Sequence, residues 1–310
     1  MKVLQVLHSL TPAHGGGTAY VVYGLSLHLG KKGHSVSVYT TDFDVGKYEG
    51  STSYIESLST AGIKVRVFRI LLDIASFRIT PGLVTEARRN LNDFEVIHIH
   101  SLRDFQNIPL CYFARKYHVP YIIDAHGSTP RTGKRASKWL FDLLFGYRIL
   151  RGAARAIAET ELGVAEYERM GVKKDRIVLL YPPFPVEEYA DLPPRGRFRE
   201  KFGIKEKHIL LYLGRINRIK GVDFIVRSFG SLSKTRDDVF LVLAGPDEGL
   251  KAEVEGIIRQ LGIGDKVLFT GFISGVLKKE ALVDATLMVQ TSLYEQGLSW
   301  ACVEALLCHK

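Results

Sequence analysis

Short apolar runs and amphipathic stretches alternate along this chain. KVLQVLH is β-branched and Leu-rich and reads as a strand. A glycine-rich turn, Gly15-Gly16-Gly17, follows it. TAYVVYGLSLHLGKKG then sets Tyr20, Val21, Leu25, Leu27 and Leu29 in a helical pattern, with Gly33 as the stop. Further strands are expected at HSVSVYTT from His34, IKVRVFRI (63–70), EVIHIH (95–100), PYIIDAH (120–126), ARAIAE (154–159) and RIVLLY (176–181), with a helix around Phe105–Tyr117. Buried apolar runs separated by helices predict βαβ units and a parallel sheet.

YPPFPVEEYADLPP (181–194) breaks that rhythm: its prolines flank an acidic stretch and no period survives. A second series follows, with strands at HILLYLG (208–214), VFLVLAG (239–245), KVLFTG (266–271) and ATLMVQTS (285–292) and a last helix from about Leu298. The expected organisation is therefore one α/β domain over 1–183, a linker over 184–205 and a second α/β domain over 206–310. The second series stops with its last helix barely begun. A parallel sheet left with an open edge is a poor stopping point, which predicts a truncated second domain.

A length of 310 residues suits two domains, and 46% hydrophobic with 24% charged residues describes a globular chain. No apolar run is long enough to span a bilayer, and the opening segment reads as a strand, not as a secretory leader. Cys111, Cys302 and Cys308 match no metal spacing and read as reduced core thiols, so the expected location is the cytoplasm. The net charge of +9 is uneven. Residues 1–185 hold 24 basic and 16 acidic side chains, whereas residues 186–310 hold 18 and 17. A basic first half points to an anionic partner.

Several segments carry candidate chemistry. The glycine triplet lets a ligand or a neighbouring backbone approach a helix start. It does not follow G-x-G-x-x-G, which disfavours a dinucleotide despite Asp42, and TGKRA (132–136) lacks the earlier glycine of a P-loop. In LGRINRIKG (213–221), Arg215 and Lys220 straddle the turn after a buried strand. Two cations beside a helix N-terminus make a diphosphate site. His98 and His100 alternate onto one strand face, and His126 in DAHGS ends a strand beside Gly127. In SLYEQGLSWACVEALLCHK, Gln296 and Glu304 are eight positions apart, which on a helix leaves them ~80° apart on a shared side. Glu295 and Glu304 are nine apart and face opposite ways.

HGGG, KKGHSVSVYTT, VIHIHS, DAHG, YLGRINRIKG, LVLAGPDEG, FTGFIS and SLYEQGLSWACVEALLCHK occur in that order over nearly the whole chain. Together they resemble the family-four (group 1) retaining glycosyltransferases of the GT-B fold. The resemblance implies two Rossmann-like domains facing across a cleft, the second incomplete here. It implies a nucleotide-diphosphate sugar donor held mainly by the second domain, a sugar or lipid-linked acceptor at the first, and no metal or cofactor. Arg215 and Lys220 match the pair that holds the diphosphate, Gly16 and Gly17 the glycines near the phosphates, and His126 the histidine near the transferred sugar. Phe272 and Ile273 match the segment framing the nucleobase, and Glu304 the glutamate that bonds the ribose. Glu295, Gln296, Gly297 and Leu298 fall in the donor loop.

The resemblance also has departures. The family pattern encloses seven residues between two glutamates, whereas Glu295 and Glu304 enclose eight. Keeping register with Glu304 puts Gln296 in the sugar-facing slot, with Glu295 just outside. The segment 127–158 is strongly basic. Arg131, Lys134, Arg135, Lys138, Arg148, Arg151 and Arg155 meet only Asp142, and Trp139, Leu140, Leu143, Leu144 and Ile149 supply an apolar stripe. Two readings stand: docking on an anionic membrane surface through 131–155, peripheral on the inner face, or an amphipathic helix packed on the sheet with a solvated basic face. Nucleic acid is not expected as a partner. The leading function is retaining, metal-independent sugar transfer. A GT-B nucleotide-sugar 2-epimerase and a non-catalytic nucleotide-sugar-binding relative are the alternatives.

Overall fold

The computed structural model describes residues 1–47, 50–74, 77–131, 135–184, 186–293 and 299–310. The chain divides after Phe184 into two compact units.

The first unit is built on seven parallel strands in the order β3-β2-β1-β6-β7-β8-β9. They are β1 (Lys2–Val6), β2 (Ser35–Thr41), β3 (Lys64–Phe68), β6 (Val96–His100), β7 (Tyr121–Asp124), β8 (Arg155–Ala158) and β9 (Ile177–Leu179). Central strands of a parallel sheet are covered on both faces, so they need near-continuous apolar runs. In β1, Val3, Leu4 and Val6 are buried, and so is Gln5, fully. The strand order reverses between β1 and β6. In an open α/β sheet such a switch point opens a crevice at the carboxyl ends of the strands.

Helix α1 (Pro12–Lys31) begins with proline at its first position, where the missing amide costs nothing. The glycine triplet, expected as a turn between strand and helix, lies inside this segment. The helix breaks at Gly16, with φ 54° and ψ −143°, and restarts. Gly15 has no room for a side chain: a Cβ there would sit 2.7 Å from the carbonyl oxygen of Ser9 and against the Ala19 methyl. The helix ends as expected at Gly33. Its amide bonds the Gly30 carbonyl and that of His34 bonds Leu29, the paired arrangement that a left-handed glycine permits. The remaining helices are α2 (Ser53–Thr60), α3 (Pro81–Asn90), α4 (Asn107–Lys116), α5 (Arg135–Phe141), α6 (Tyr147–Gly152) and α7 (Glu161–Arg169). A small antiparallel pair, β4 (Leu72–Ile74) with β5 (Phe77–Ile79), went unanticipated.

The second unit carries four parallel strands in the order β12-β11-β10-β13. They are β10 (His208–Leu213), β11 (Val239–Ala244), β12 (Val267–Gly271) and the short β13 (Leu287–Met288). Its helices are α8 (Arg197–Phe202), α9 (Val222–Leu232), α10 (Lys251–Leu261), α11 (Gly275–Asp284) and α12 (Trp300–Leu307). Here the order reverses between β10 and β13.

The expectation of a linker over 184–205 needs correction, because α8 folds within it. Phe198 is fully buried. The buried Asp284 carboxylate at the end of α11 accepts the amides of Gly196 (2.5 Å) and Arg199 (3.0 Å). A side chain far along the sequence thus satisfies the orphan donors at this helix start.

Candidate functional site

The rim of the second sheet carries Arg215, Lys220, Phe272 and Ile273 of the predicted residues. The loops after β12, β11, β10 and β13 carry Phe272, Glu248, Arg215 and Thr291 respectively, and all leave the carboxyl ends of neighbouring strands. Gly245 (φ 152°) brings the β10 and β11 exits together, for a Cβ there would overlap the carbonyl oxygen of Gly214. The Ile216 amide donates to Pro246 and the Glu248 amide to Ile216, stitching the two loops.

Arg215 is about half exposed, and its guanidinium donates to both Glu248 oxygens at 3.1 and 3.0 Å. Asn217 donates to the same carboxylate at 2.8 Å, and its Oδ1 accepts the Lys220 amide at 3.1 Å. Lys220 is therefore set at the end of a capped turn, directly before α9. Gly221 follows with φ 63°, where a Cβ would lie 2.5 Å from the Thr291 carbonyl. The Thr291 hydroxyl donates to the carbonyls of Lys220 (3.2 Å) and Gly221 (2.9 Å), and the Leu293 amide donates to Ile219. The loop after β13 is thus fastened onto the Lys220 turn at the switch point. Exposed pairs such as Arg215–Glu248 contribute at most about 1 kcal/mol, so this pair opens at little cost.

Glu304 on α12 is buried, and its Oε1 lies 2.5 Å from Lys278 Nζ on α11. Ile273 turns inward at 5% exposure, whereas Phe272 is 40% exposed, so of the two only Phe272 offers a surface ring. Glu295, Gln296, Gly297 and Leu298 lie outside the described residues, and with them the question of which of positions 295 and 296 faces inward.

In the first unit, four adjacent strands each send one polar residue to the switch-point end of the sheet. The Gln5 Oε1 on β1 meets His100 Nε2 on β6 at 2.7 Å. His100 Nδ1 meets His126 Nε2, just past β7, at 2.8 Å, with the two rings stacked. His126 Nδ1 meets Glu159 Oε1, just past β8, at 2.7 Å. Asp124 Oδ1 accepts the His126 amide at 3.0 Å and lies 3.5 Å from the ring. His126 takes φ 43°, a left-handed conformation that is unusual for a side-chain-bearing residue and is held here by these bonds. The Tyr167 hydroxyl accepts the Ala125 amide at 2.8 Å, and a cavity of about 10 Å³ lies among these groups.

Burial pulls the His126 pKa down, but Asp124 and Glu159 outweigh it, leaving the ring above its ordinary value. Burial lifts Asp124 to about 6. Burial drives His98 down to about 3, with the His126 charge adding to the effect, and takes His100 well below its usual value. Asp124, His126 and Glu159 bring ligand-type atoms within 4.8 Å of one another. Both His126 ring nitrogens already have hydrogen-bond partners, Glu159 and His100.

The sequence reading singled out His126 but missed Gln5, Asp124 and Glu159 around it, and likewise Glu248 and Lys278. Only Gln5 left a readable signal, as a lone amide inside a buried apolar run.

Residues 16–183 match the family model of the glycosyl transferase 4-like domain, and residues 194–310 match that of the glycosyl transferases group 1. The chain belongs to this glycosyltransferase family. An uncharacterized glycosyltransferase of Methanocaldococcus jannaschii is 23% identical over 308 residues, 95% of this chain and 75% of the relative. The O-antigen chain mannosyltransferase C of Escherichia coli is 24% identical over 277 residues, 88% of this chain and 68% of the relative. Among solved structures, Anabaena HepE in complex with UDP and glucose superposes with a TM-score of 0.81 at 17% identity, covering 100% of this glycosyltransferase and 79% of that chain. The α/β architecture with its two parallel sheets is that of the GT-B glycosyltransferases.

Within the basic segment, residues 135–152 run as one continuous helix, α5 and α6 joined by a π-helical stretch over Asp142–Gly146, but most of the expected apolar stripe is not on its buried face. Phe141, Ile149 and Leu150 face the core, while Trp139, Leu140, Leu143 and Leu144 are about half exposed. Asp142, fully buried, pairs with Arg103 and Arg131. No helix among the described residues is long and apolar enough to cross a membrane.

Proposed function

We propose that this glycosyltransferase moves a sugar from a nucleotide-diphosphate sugar to an acceptor with retention of anomeric configuration and without a metal ion. The observation that carries this reading is the rim of the second sheet. Arg215 and Lys220 both lie on the turn between β10 and the start of α9, at the point where strand order reverses. Breaking the bond between the anomeric carbon and the diphosphate oxygen builds positive charge on the sugar and negative charge on the leaving group. Arg215, Lys220 and the helix dipole stabilise the leaving group in place. The acceptor hydroxyl attacks from the face the diphosphate leaves, and the departing phosphate oxygen takes its proton. These cations supply the charge that a divalent ion supplies elsewhere.

In the same reading the backbone at Gly16 and Gly17 leaves room for an anionic ligand at a helix start. Phe272 lies against the base and Glu304 accepts from the ribose. The bound UDP and glucose of the HepE structure support a nucleotide-sugar donor. The test is a transfer assay with UDP- and GDP-sugars and sugar acceptors in excess chelator, with the product anomer read by proton NMR. Retained configuration in chelator is expected. An inverted product, dependence on a divalent ion, or release of free epimerised sugar without an acceptor contradicts it.

The half-exposed Trp139, Leu140, Leu143 and Leu144, beside exposed Arg135, Arg148 and Arg151, favour a second element: docking on an anionic membrane face, where a lipid-linked acceptor is presented. Replacing the basic residues abolishes sedimentation with phosphatidylglycerol vesicles if this is right. Unchanged sedimentation ends it.

A further inference from the structure

We infer that Glu159 is a positioning residue of the transfer site, holding His126 as a doubly protonated ring through the chain Gln5–His100–His126–Glu159. The argument is one of donors and acceptors. An ionised carboxylate only accepts, so His126 Nδ1 donates to Glu159 at 2.7 Å. The Gln5 carbonyl oxygen accepts at 2.7 Å, so His100 Nε2 carries a proton. His100 is 1% exposed and bonded to no carboxylate, so it is neutral and its Nδ1 is bare. The 2.8 Å contact from that nitrogen to His126 Nε2 therefore needs a proton on His126. Both ring nitrogens of His126 are donors, and the ring is an imidazolium.

Turning the Gln5 amide over would reverse the two bonds on either side of His100, keep His126 Nδ1 donating to Glu159, and leave His126 neutral. Two buried carboxylates, Asp124 at 8% and Glu159 at 8% side-chain exposure, would then face an uncharged ring. That arrangement loses the charge-assisted bonds that offset their burial. The groups facing the ring come from every neighbouring element: Asp124 at the end of β7, Glu159 after β8, His98 and His100 on β6, and Tyr167 on α7.

A ring with both nitrogens engaged does not serve as a base. It acts as a fixed cation that locks its own left-handed backbone at the crevice end of the first sheet, two strands over from β1, which leads into the helix with the glycine break. This role rests on the proposed transfer reaction, but the charge state does not, and the test separates the two. Nitrogen-15 side-chain NMR of the ligand-free protein at pH 7.5 is expected to show His126 protonated on both nitrogens and His100 neutral, with its proton on Nε2. In Glu159→Gln the His126 titration is expected at lower pH than in the parent. The kcat is expected to fall at least tenfold with the donor KM within threefold, and the alkaline limb of kcat to move to lower pH. Glu159→Asp is expected to restore part of both. A singly protonated His126 in the unmodified protein overturns the inference whatever the variants do. A Glu159→Gln enzyme with unchanged kcat and pH profile overturns the positioning role while leaving the transfer reaction standing.

Discussion

Asp142 is the buried charge on which the loop after His126 hangs. Its carboxylate is fully buried and accepts Arg103 Nε and NH2 at 2.8 Å each and Arg131 Nε at 2.8 Å. Arg103 is 10% exposed, and its remaining hydrogen bonds go to the carbonyls of Ser128, Thr129 and Pro130. One guanidinium therefore ties the buried acid to the three residues that follow Gly127. In Asp142→Asn the shape survives, but a guanidinium fork meets an amide with no charge and one wrongly directed donor. Breaking a buried pair from one side costs about 3–5 kcal/mol. Arg131, a third exposed, adds less than about 1 kcal/mol after solvent screening. For a unit of this size each kcal/mol lowers Tm by about 2–4 °C, so a fall of roughly 6–20 °C is expected. Differential scanning calorimetry reads it, and kcat should fall further than stability explains, because the loop loses its anchor. Arg103→Leu with Asp142→Leu should recover part of the loss, since no buried charge is then left unpaired and Arg131, a third exposed, turns to solvent. A Tm within 2 °C of the parent for Asp142→Asn, or no recovery in the double variant, refutes the reasoning.

Gly245→Ala should cost about 3 kcal/mol, because its Cβ would overlap the Gly214 carbonyl, whereas Gly24→Ala, facing open space on α1, should be neutral or stabilising by up to about 1 kcal/mol; urea unfolding compares them. Acid should destabilise the first unit through its buried histidines. His98 titrates near 3 in the folded state and near 6.5 unfolded, so its contribution is complete above about 6.5 and is lost as pH falls, by about 1.4 kcal/mol per pH unit. The raised Asp124 works oppositely, gaining as pH falls below about 6; the expected mark of His98 is a shallower loss between pH 6 and 4 in His98→Gln, and an unchanged slope counts against it. Glu304→Gln should weaken binding of a nucleoside diphosphate about tenfold and leave pyrophosphate binding unchanged, as calorimetry would report if the carboxylate bonds the ribose.

The strands were legible because parallel strands buried on both faces must be written as apolar runs, as VFLVLAG and HILLYLG are. The β4–β5 pair was not, because Leu72 and Ile74 are exposed and follow no burial pattern. Helix α8 was hidden because its cap, Asp284, lies 88 positions beyond Gly196. Arg215 and Lys220 could be read from their place after a buried strand. The surroundings of His126 could not, since Glu159 is 33 positions away and Gln5 touches it only through His100. The glycine triplet showed where backbone closeness is needed, but Gly15, which abuts Ser9 and Ala19, and Gly16, which turns the helix, do different work.

The central claim is that cations of the second unit, not a metal ion, hold the donor diphosphate. Isothermal calorimetry of UDP and GDP in excess chelator, on the parent and on Arg215→Ala with Lys220→Ala, tests it most directly. Two charge-assisted contacts at about 1.5–3 kcal/mol each predict binding of one nucleotide by the parent and at least a hundredfold loss in the double variant. Equal affinity in the two proteins, or binding that appears only when a divalent cation is added, would contradict the claim.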